Sequence, residues 1–398
     1  MALDQLLTLV QPLRCLIPDE EKNVKNILIL SFSVIRNDPR VMRQIRLLER
    51  DYRLTVSGYG PKPDAEIDFL ELDRPLVGRV QKGVWGFKLL LRLFESYYWA
   101  LPQVRQGLGM LAGRRNFDLL IANDMAALPL ALRIAAERPV LVDAHEYSPR
   151  EFEDKLLWRI LFAPFYDTFC TRYLPRAAAM TTVCEGIAEE YGKDYGVVSK
   201  VVYNAPSEQL LEPSPSLPGR VRLIHHGSAI RSRHLGVMIE MMRYLDERFT
   251  LDFMLVETDP VYMAELREMA REDPRVGFVE PVPMPEICRR LNQYDVGIYL
   301  LPPVNFNHEH ALPNKFFEFI QARLAVATGP SPEMARIVEK YSLGVVADSF
   351  EPRALAEALE HLTDDSIAGY KRASSRAARE LSYEVSGRVL LHEIERLV

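Results

Sequence analysis

The side chains best placed for chemistry stand in one run, His308-Glu309-His310-Ala311-Leu312-Pro313-Asn314-Lys315-Phe316-Phe317-Glu318-Phe319-Ile320-Gln321-Ala322-Arg323. Pro313 suits the first turn of a helix, where its missing N–H costs nothing. Phe316, Phe317, Ile320 and Leu324 then recur at core-facing spacing, and Asn314, Lys315, Glu318 and Gln321 share the other face. A cation and a carboxylate one turn apart can hold a phosphate and a sugar hydroxyl; they can equally be an ordinary Lys–Glu pair on a polar helix face. Ala325-Val326-Ala327-Thr328 is a short buried strand that stops at Gly329-Pro330, and a second helix opens at Ser331-Pro332-Glu333. Two helix N-termini therefore lie close together, and each favours an anion.

Four further stretches carry polar chemistry. A strand over Val221–His225 runs into His226-Gly227-Ser228-Ala229-Ile230-Arg231-Ser232-Arg233-His234. Gly227 permits close backbone approach and the two guanidinium forks match phosphate oxygens, which makes a diphosphate site. His225, His226 and His234 lack metal-ligand spacing, and no metal is expected. Asp143-Ala144-His145-Glu146 sits just past a strand end, where doubly wound sheets bind ligands; a satisfied structural histidine is the other reading of His145. Near the start, Asp38 is a plausible N-cap with Pro39 at the first helical position. Arg36, Arg40 and Arg43 put positive charge beside that opening, or are solvated helix arginines. The loop Glu280-Pro281-Val282-Pro283 follows a strand end and can expose backbone groups to a planar base.

These groups need elements to hold them. A chain of 398 residues exceeds one ordinary core, and two domains of near-equal size are expected. Hydrophobic content of 48% with 26% charged residues is that of a soluble globular protein. A net charge of −6 argues against a nucleic-acid surface. The four scattered cysteines read as reduced thiols, and Met1–Val10 lacks the positive region and cleavage site of a signal peptide. The compartment expected is the cytoplasm. Residues 1–22 read as a short amphipathic helix and a charged link.

Apolar strands from Ile27 to Val202 alternate with helices, which implies a parallel sheet covered on both faces. Pro206, Pro213, Pro215 and Pro218 then punctuate a polar stretch ending at Gly219. The expected division is a first domain over 1–206, a linker over 207–219 and a second domain over 220–378. A C-terminal helix at about 379–398 can cross back onto the first. One segment stands apart: Val84 to Trp99 is apolar on most faces, with Arg79, Lys82, Lys88, Arg92 and Arg105 around it. It is either an interfacial helix that meets a bilayer or a lipid-linked acceptor, or a long buried helix flanked by snorkelling cations. On general grounds the buried helix is the expectation.

Leu312-Pro313-Asn314-Lys315 with Glu318, then a small apolar strand and Gly329, resembles the donor-site signature of group 1 glycosyltransferases. These are retaining, family 4 enzymes of α/β class with the GT-B fold, two doubly wound Rossmann-like domains facing each other across a cleft. The likeness runs along nearly the whole chain. Asp38-Pro39-Arg40-Val41 resembles the family's first helix start, and Val142-Asp143-Ala144-His145-Glu146 its strand-end histidine motif. Thr182-Val183-Cys184-Glu185 through Tyr203-Asn204-Ala205-Pro206 resembles the approach to the linker. Gly227 with Arg233, Glu280–Val282 and Pro313–Glu318 follow in the family's order.

The resemblance implies transfer of a sugar, with retention and without a metal or other cofactor. The donor would be a nucleotide-sugar (UDP or GDP) and the acceptor a glycan, lipid-linked or small molecule, as in polysaccharide biosynthesis. Nucleic acid is not an expected partner, and peripheral membrane contact through residues 79–105 is left open as the second reading of that segment. By the same carry-over Arg233 and Lys315 neutralise the diphosphate with Arg231 as helper, and Glu318 takes the ribose hydroxyls. The backbone near Val282 takes the base, Asn314 belongs to the donor side, and His145 lies near the sugar. Arg36, Asp38, Arg40 and Glu146 fall on the acceptor side. The family usually has an acid eight positions before Glu318; here that position is His310, with Glu309 beside it. His234 stands where the family often has glycine. No DxD motif is present, in agreement with a metal-independent site. A non-catalytic homologue serving as partner or scaffold is one alternative, with His310 in its favour. A sugar-nucleotide epimerase or a phosphorylase of the same fold is another.

Overall fold

A computed structural model describes residues 24–114 and 116–398; the helix and link expected over 1–22 lie outside the described residues. Seven strands build the first sheet: β1 (Asn26–Val34), β2 (Arg53–Tyr59), β3 (Asp68–Leu72), β4 (Leu119–Asn123), β5 (Val140–Ala144), β6 (Ala179–Thr182) and β7 (Ser199–Val201). All pair in parallel, in the order β3-β2-β1-β4-β5-β6-β7. Ile27, Leu28, Ile29 and Leu30 are fully buried, as a strand with helices on both faces requires. Six strands build the second sheet: β8 (Val221–Ser228), β9 (Phe249–Val256), β10 (Val276–Val279), β11 (Val296–Tyr299), β12 (Ala325–Thr328) and β13 (Gly344–Val346). Their order is β10-β9-β8-β11-β12-β13. The fold is α/β, with two doubly wound parallel sheets.

Each sheet reverses its winding at its first strand, between β1 and β4 and between β8 and β11. Crossovers leave those strand ends in opposite directions there, which opens a crevice at the carboxyl edge. The residues at these edges are Asn123 to Asp124 and Ala144 to Glu146 in the first sheet, and Gly227 to Ser228 and Tyr299 in the second.

The helix Asn314–Gln321 runs down from the second edge with Phe316, Phe317, Phe319 and Ile320 fully buried. Its C-terminal turn is tied to the segment between the sheets: Arg323 donates from Nε to the Leu211 carbonyl at 3.0 Å, and Gln209 N–H donates to Gln321 Oε1 at 3.0 Å. The last helix, Tyr383–Glu395, packs on the helix Pro39–Leu48 of the first sheet. Leu390 and Ile394 join the core around Ile45 and Leu48.

The long buried helix expected over 84–99 is not what forms. The chain makes Arg79–Leu90, Phe94–Tyr98 and Pro102–Leu111 as separate helices, broken where Arg92 adopts φ +57°. In the first of them only Leu89 is buried. Its apolar residues point in several directions, and the core covers one of those.

Candidate active site in the cleft

β8 is central in its sheet, so the histidines near its end are enclosed. His225 Nδ1–H donates to the Ile298 carbonyl at 2.9 Å and its ring stacks on Tyr299, 5.8 Å between centroids. His226 Nε2 lies 3.2 Å from Glu318 Oε2, without the geometry of a hydrogen bond. Burial, then the Lys315 charge, push His226 down to about 3, so it is neutral. These rings are packing groups of the donor-side wall.

Directly after them Gly227 takes φ +129°, a region open to glycine. A Cβ at Gly227 would stand 2.9 Å from Lys315 Nζ. The glycine thus lets the lysine pass beneath the strand end. Lys315 sits on the first turn of Asn314–Gln321, is 6% exposed, and holds its Nζ 4.9 Å from the Tyr299 ring centroid. That Nζ has no hydrogen-bond partner. Burial, then repulsion from Arg233, lower it to about 7, against the attraction of Glu318. Glu318 is pushed up to about 7 by burial, opposed by Lys315 and Arg43. Among the described residues, the Arg233 guanidinium has one hydrogen bond, Nη1 to the Ser228 carbonyl at 3.5 Å. Two cations thus converge beside the Gly227 backbone without a paired anion, which is the electrostatic complement of a diphosphate.

The facing wall comes from the first sheet. Asp143, 1% exposed at the end of β5, accepts from Arg40 Nε at 2.7 Å and Nη2 at 2.6 Å and from Thr181 Oγ1 at 2.6 Å. Desolvation is outweighed by Arg40 and His145, so the Asp143 carboxyl stays well below its usual range. His145 Nε2 lies 3.2 Å from Asn123 Oδ1 and 3.5 Å from Asp143 Oδ2. Its Nδ1 lies 3.4 Å from Asp124 Oδ2. Burial works against the imidazolium, but Asp124 and Asp143 prevail and raise His145 to about 8. The ring is therefore a cation at neutral pH, held by two acids. Glu146 lines the cavity and keeps contact with solvent; the surrounding walls, then Glu151 and Asp124, push its carboxyl upward.

A cavity of about 340 Å³ lies between the walls, lined by His145, Glu146 and Glu151 on one side and Arg233, Tyr299 and His310 on the other. Behind the lining residue Asn204, Arg43 links the two halves, reaching Asn204 Oδ1 and Asn314 Oδ1 at 3.4 Å. His310 is held from behind: its Nδ1 is 3.1 Å from Glu333 Oε1, which also accepts from Gly186 N–H at 2.9 Å. Arg336 caps the other Glu333 oxygen.

The structure thus brings Arg233 and Lys315 together at Gly227, with Asn314 and Glu318 on the helix of Lys315; of these Arg233 alone lines the cavity, whose wall also holds His145, Glu146 and His310. It puts other candidates elsewhere. Arg40 is consumed by the ion pair with Asp143 and by the Val202 carbonyl at 2.8 Å, so it is a structural cation and not an acceptor contact. Asp38 caps its helix, accepting from Arg40 N–H at 3.1 Å and Val41 N–H at 3.2 Å. Arg231 turns out to Glu265, 2.5 and 3.0 Å away, and stacks over Tyr262, so it does not assist Arg233. Glu309 and Arg36 are exposed and line no part of the cavity. Val282 is half-buried in the loop after β10, outside the lining as Gly227, Lys315 and Glu318 are, and its expected backbone role is neither met nor excluded by that position. The sequence reading missed Asp124, Asn123 and Glu151. Asp124 carried a signal, an acid directly after a strand end like that of His145; the other two carried none.

No family model matches the chain, and no match is found among curated proteins. Among solved structures the chain is similar to the sucrose-phosphate synthase of Thermosynechococcus elongatus, at TM-score 0.71 and 12% identity over 94% of this chain and 99% of that one. It is also similar to HepE of Anabaena in complex with UDP-glucose, at TM-score 0.68 and 16% identity over 94% and 100% of the chains. The apo lipopolysaccharide outer core galactosyltransferase WaaB is similar at TM-score 0.62 and 12% identity over 94% and 100%. At such identities the likeness establishes the fold. The chain has the two-domain GT-B fold of these sugar-handling enzymes.

Proposed function

We propose that the protein is a retaining glycosyltransferase that moves a sugar from a nucleotide-sugar bound in this cleft to an acceptor held by the first domain. The observation that carries the reading is the buried, unpartnered Lys315 ammonium beside Gly227 and Arg233. A buried cation without an anion is costly, and a donor diphosphate supplies the missing charge. UDP-glucose in HepE favours a uridine donor. Cleaving the anomeric bond leaves negative charge on the diphosphate, so Lys315 and Arg233 stabilise the transition state more than the ground state. In this reading Glu318 takes the ribose hydroxyls. His145, cationic through Asp124 and Asp143, positions a sugar hydroxyl on the opposite wall. No metal is invoked, since protein cations meet the phosphate charge. Buried free Cys170, Cys184 and Cys288 favour a reducing compartment, the cytoplasm.

One observation favours a second reading, a non-catalytic binding partner: His310, where the resemblance implies an acid, is engaged by Glu333. Titration calorimetry with UDP-, GDP-, ADP- and dTDP-glucose, on wild type and Lys315→Ala, tests both. One nucleotide-sugar bound by wild type and lost in the variant supports the donor cleft. Binding with no turnover against any acceptor supports the partner reading. If no nucleotide-sugar binds, both readings fail.

A further inference from the structure

We propose that the face built from the helix Arg79–Leu90, the turn after it and the Trp158–Phe162 turn docks on a lipid bilayer rich in anionic headgroups. The first observation is apolar exposure. Leu76, Val80, Phe87, Leu90, Leu91 and Leu93 are between 48% and 101% exposed. Leu156, Leu157 and Ile160 add a second group at 44% to 70%, and the helix packs directly on the Trp158–Phe162 turn. Single exposed apolar side chains are ordinary, but a run of them over two touching elements marks an interaction surface.

Charge selects the occupant. From Arg74 to Arg92 the chain carries Arg74, Arg79, Lys82, Lys88 and Arg92 and not one Asp or Glu, although its net charge is −6. Among the described residues none of these five is in an ion pair, and Lys88 instead donates to the Ser96 carbonyl at 3.0 Å. Lys155 and Arg159 add two cations before and within the second element, while two acids that precede them, Glu151 and Asp154, line the cavity. An apolar partner protein gains nothing from unpaired cations, whereas an interfacial helix combines large apolar side chains with Lys and Arg to meet anionic lipid. Among the described residues no helix is long and apolar enough to cross a membrane, so the contact is with one surface of the bilayer.

The face continues to the cleft. Phe152 and Lys155 both line the cavity, Lys155 Nζ lies 4.4 Å from the Phe152 ring, and that ring lies 4.8 Å from Trp158. A chain docked this way has its cleft beside the leaflet. Docking stands independently of sugar transfer; the corollary that the acceptor is lipid-linked rests on that reading.

Vesicle flotation of the full chain tests the proposal, comparing phosphatidylcholine alone with phosphatidylcholine containing about 30 mol % phosphatidylserine. Wild type is expected to float with the anionic vesicles and to be released by about 0.5 M salt, where screening reaches only a few ångströms. Arg79→Ala/Lys82→Ala should weaken partitioning about fivefold per cation removed. Phe87→Glu/Leu90→Glu should abolish flotation, with circular dichroism and melting unchanged because both side chains are exposed. No preference for anionic vesicles, or unchanged flotation of Phe87→Glu/Leu90→Glu, overturns the proposal. So does a dimer that this variant disperses while wild type ignores vesicles, which assigns the face to a second copy. Nucleotide-sugar binding that persists in these variants keeps the outcome separate from that of the donor cleft.

Discussion

Lys315→Met tests the donor cleft most directly, because methionine keeps the aliphatic stem and removes only the charge. Burial and repulsion from Arg233 lower Lys315 from 10.5 to about 7. At about 1.4 kcal/mol per tenfold in proton affinity, that fall costs the unligated fold on the order of 5 kcal/mol. The cost is fully present below pH 7, where folded and unfolded chains both hold the proton. It shrinks as pH rises toward 10.5, because over that range only the unfolded chain binds it. At pH 6 Glu318, raised to about 7, is mostly protonated, so the substitution strands no carboxylate. The unligated variant should therefore resist urea better than wild type at pH 6, by a few kcal/mol, and the gain should narrow steadily above pH 7.

Ligand binding reverses the sign. A bound diphosphate restores the ammonium, so at pH 8, where Glu318 is already ionised, wild type should take up about 0.9 proton per nucleotide-sugar. Its Kd should rise about tenfold per pH unit above pH 7. Calorimetry in two buffers of different ionisation enthalpy reads the proton directly, and Lys315→Met should show none while binding on the order of a hundredfold more weakly. No proton uptake at pH 8, equal uptake in the variant, or unchanged affinity refutes the assignment.

Three further outcomes follow from named contacts. Arg40→Ala leaves Asp143 buried without its cation and should cost about 3–5 kcal/mol in urea denaturation; because Asp143 is held below its usual range, the stability lost is that present above pH 3.8, which wild type itself loses as acid protonates the carboxyl. Gly186→Ala puts a Cβ 1.9 Å from His310 Nδ1 and 2.6 Å from Glu333 Oε1, so it should lower the melting temperature and weaken nucleotide-sugar binding, and adding His310→Ala should recover part of both. Asp124→Asn removes the largest support of the His145 imidazolium, so the His145 titration read by NMR should move from about 8 toward 6.5, and the stability that its proton contributes, complete below 6.5 and lost through about 8, should shrink with it.

Local chemistry alone settled a good deal. The run Ile27–Leu30 reads as a strand buried on both faces, and the alternation of such runs with helices leaves few arrangements besides two doubly wound sheets. Lys315 and Glu318 share a helix face through the 3.6-residue turn, and Gly227 is legible as a point of close backbone approach because glycine opens that backbone region.

Tertiary structure decided which charges stay available. Arg40 and Asp143 are 103 residues apart, yet the helix after β1 and the end of β5 meet at one sheet edge, and a buried carboxylate takes the cation that the topology delivers. The same non-local competition turned Arg231 out to Glu265, 34 residues on, and put Asp124 behind His145 and Glu333 behind His310. Residues 79–93 make the point for apolar side chains. Their composition says that they avoid water, but it is the packing of just Leu89 and Trp85 against the core that leaves the other apolar side chains open to another medium. Hydrophobicity is a property of the residue; cover is a property of the neighbours, and those are set by the whole chain.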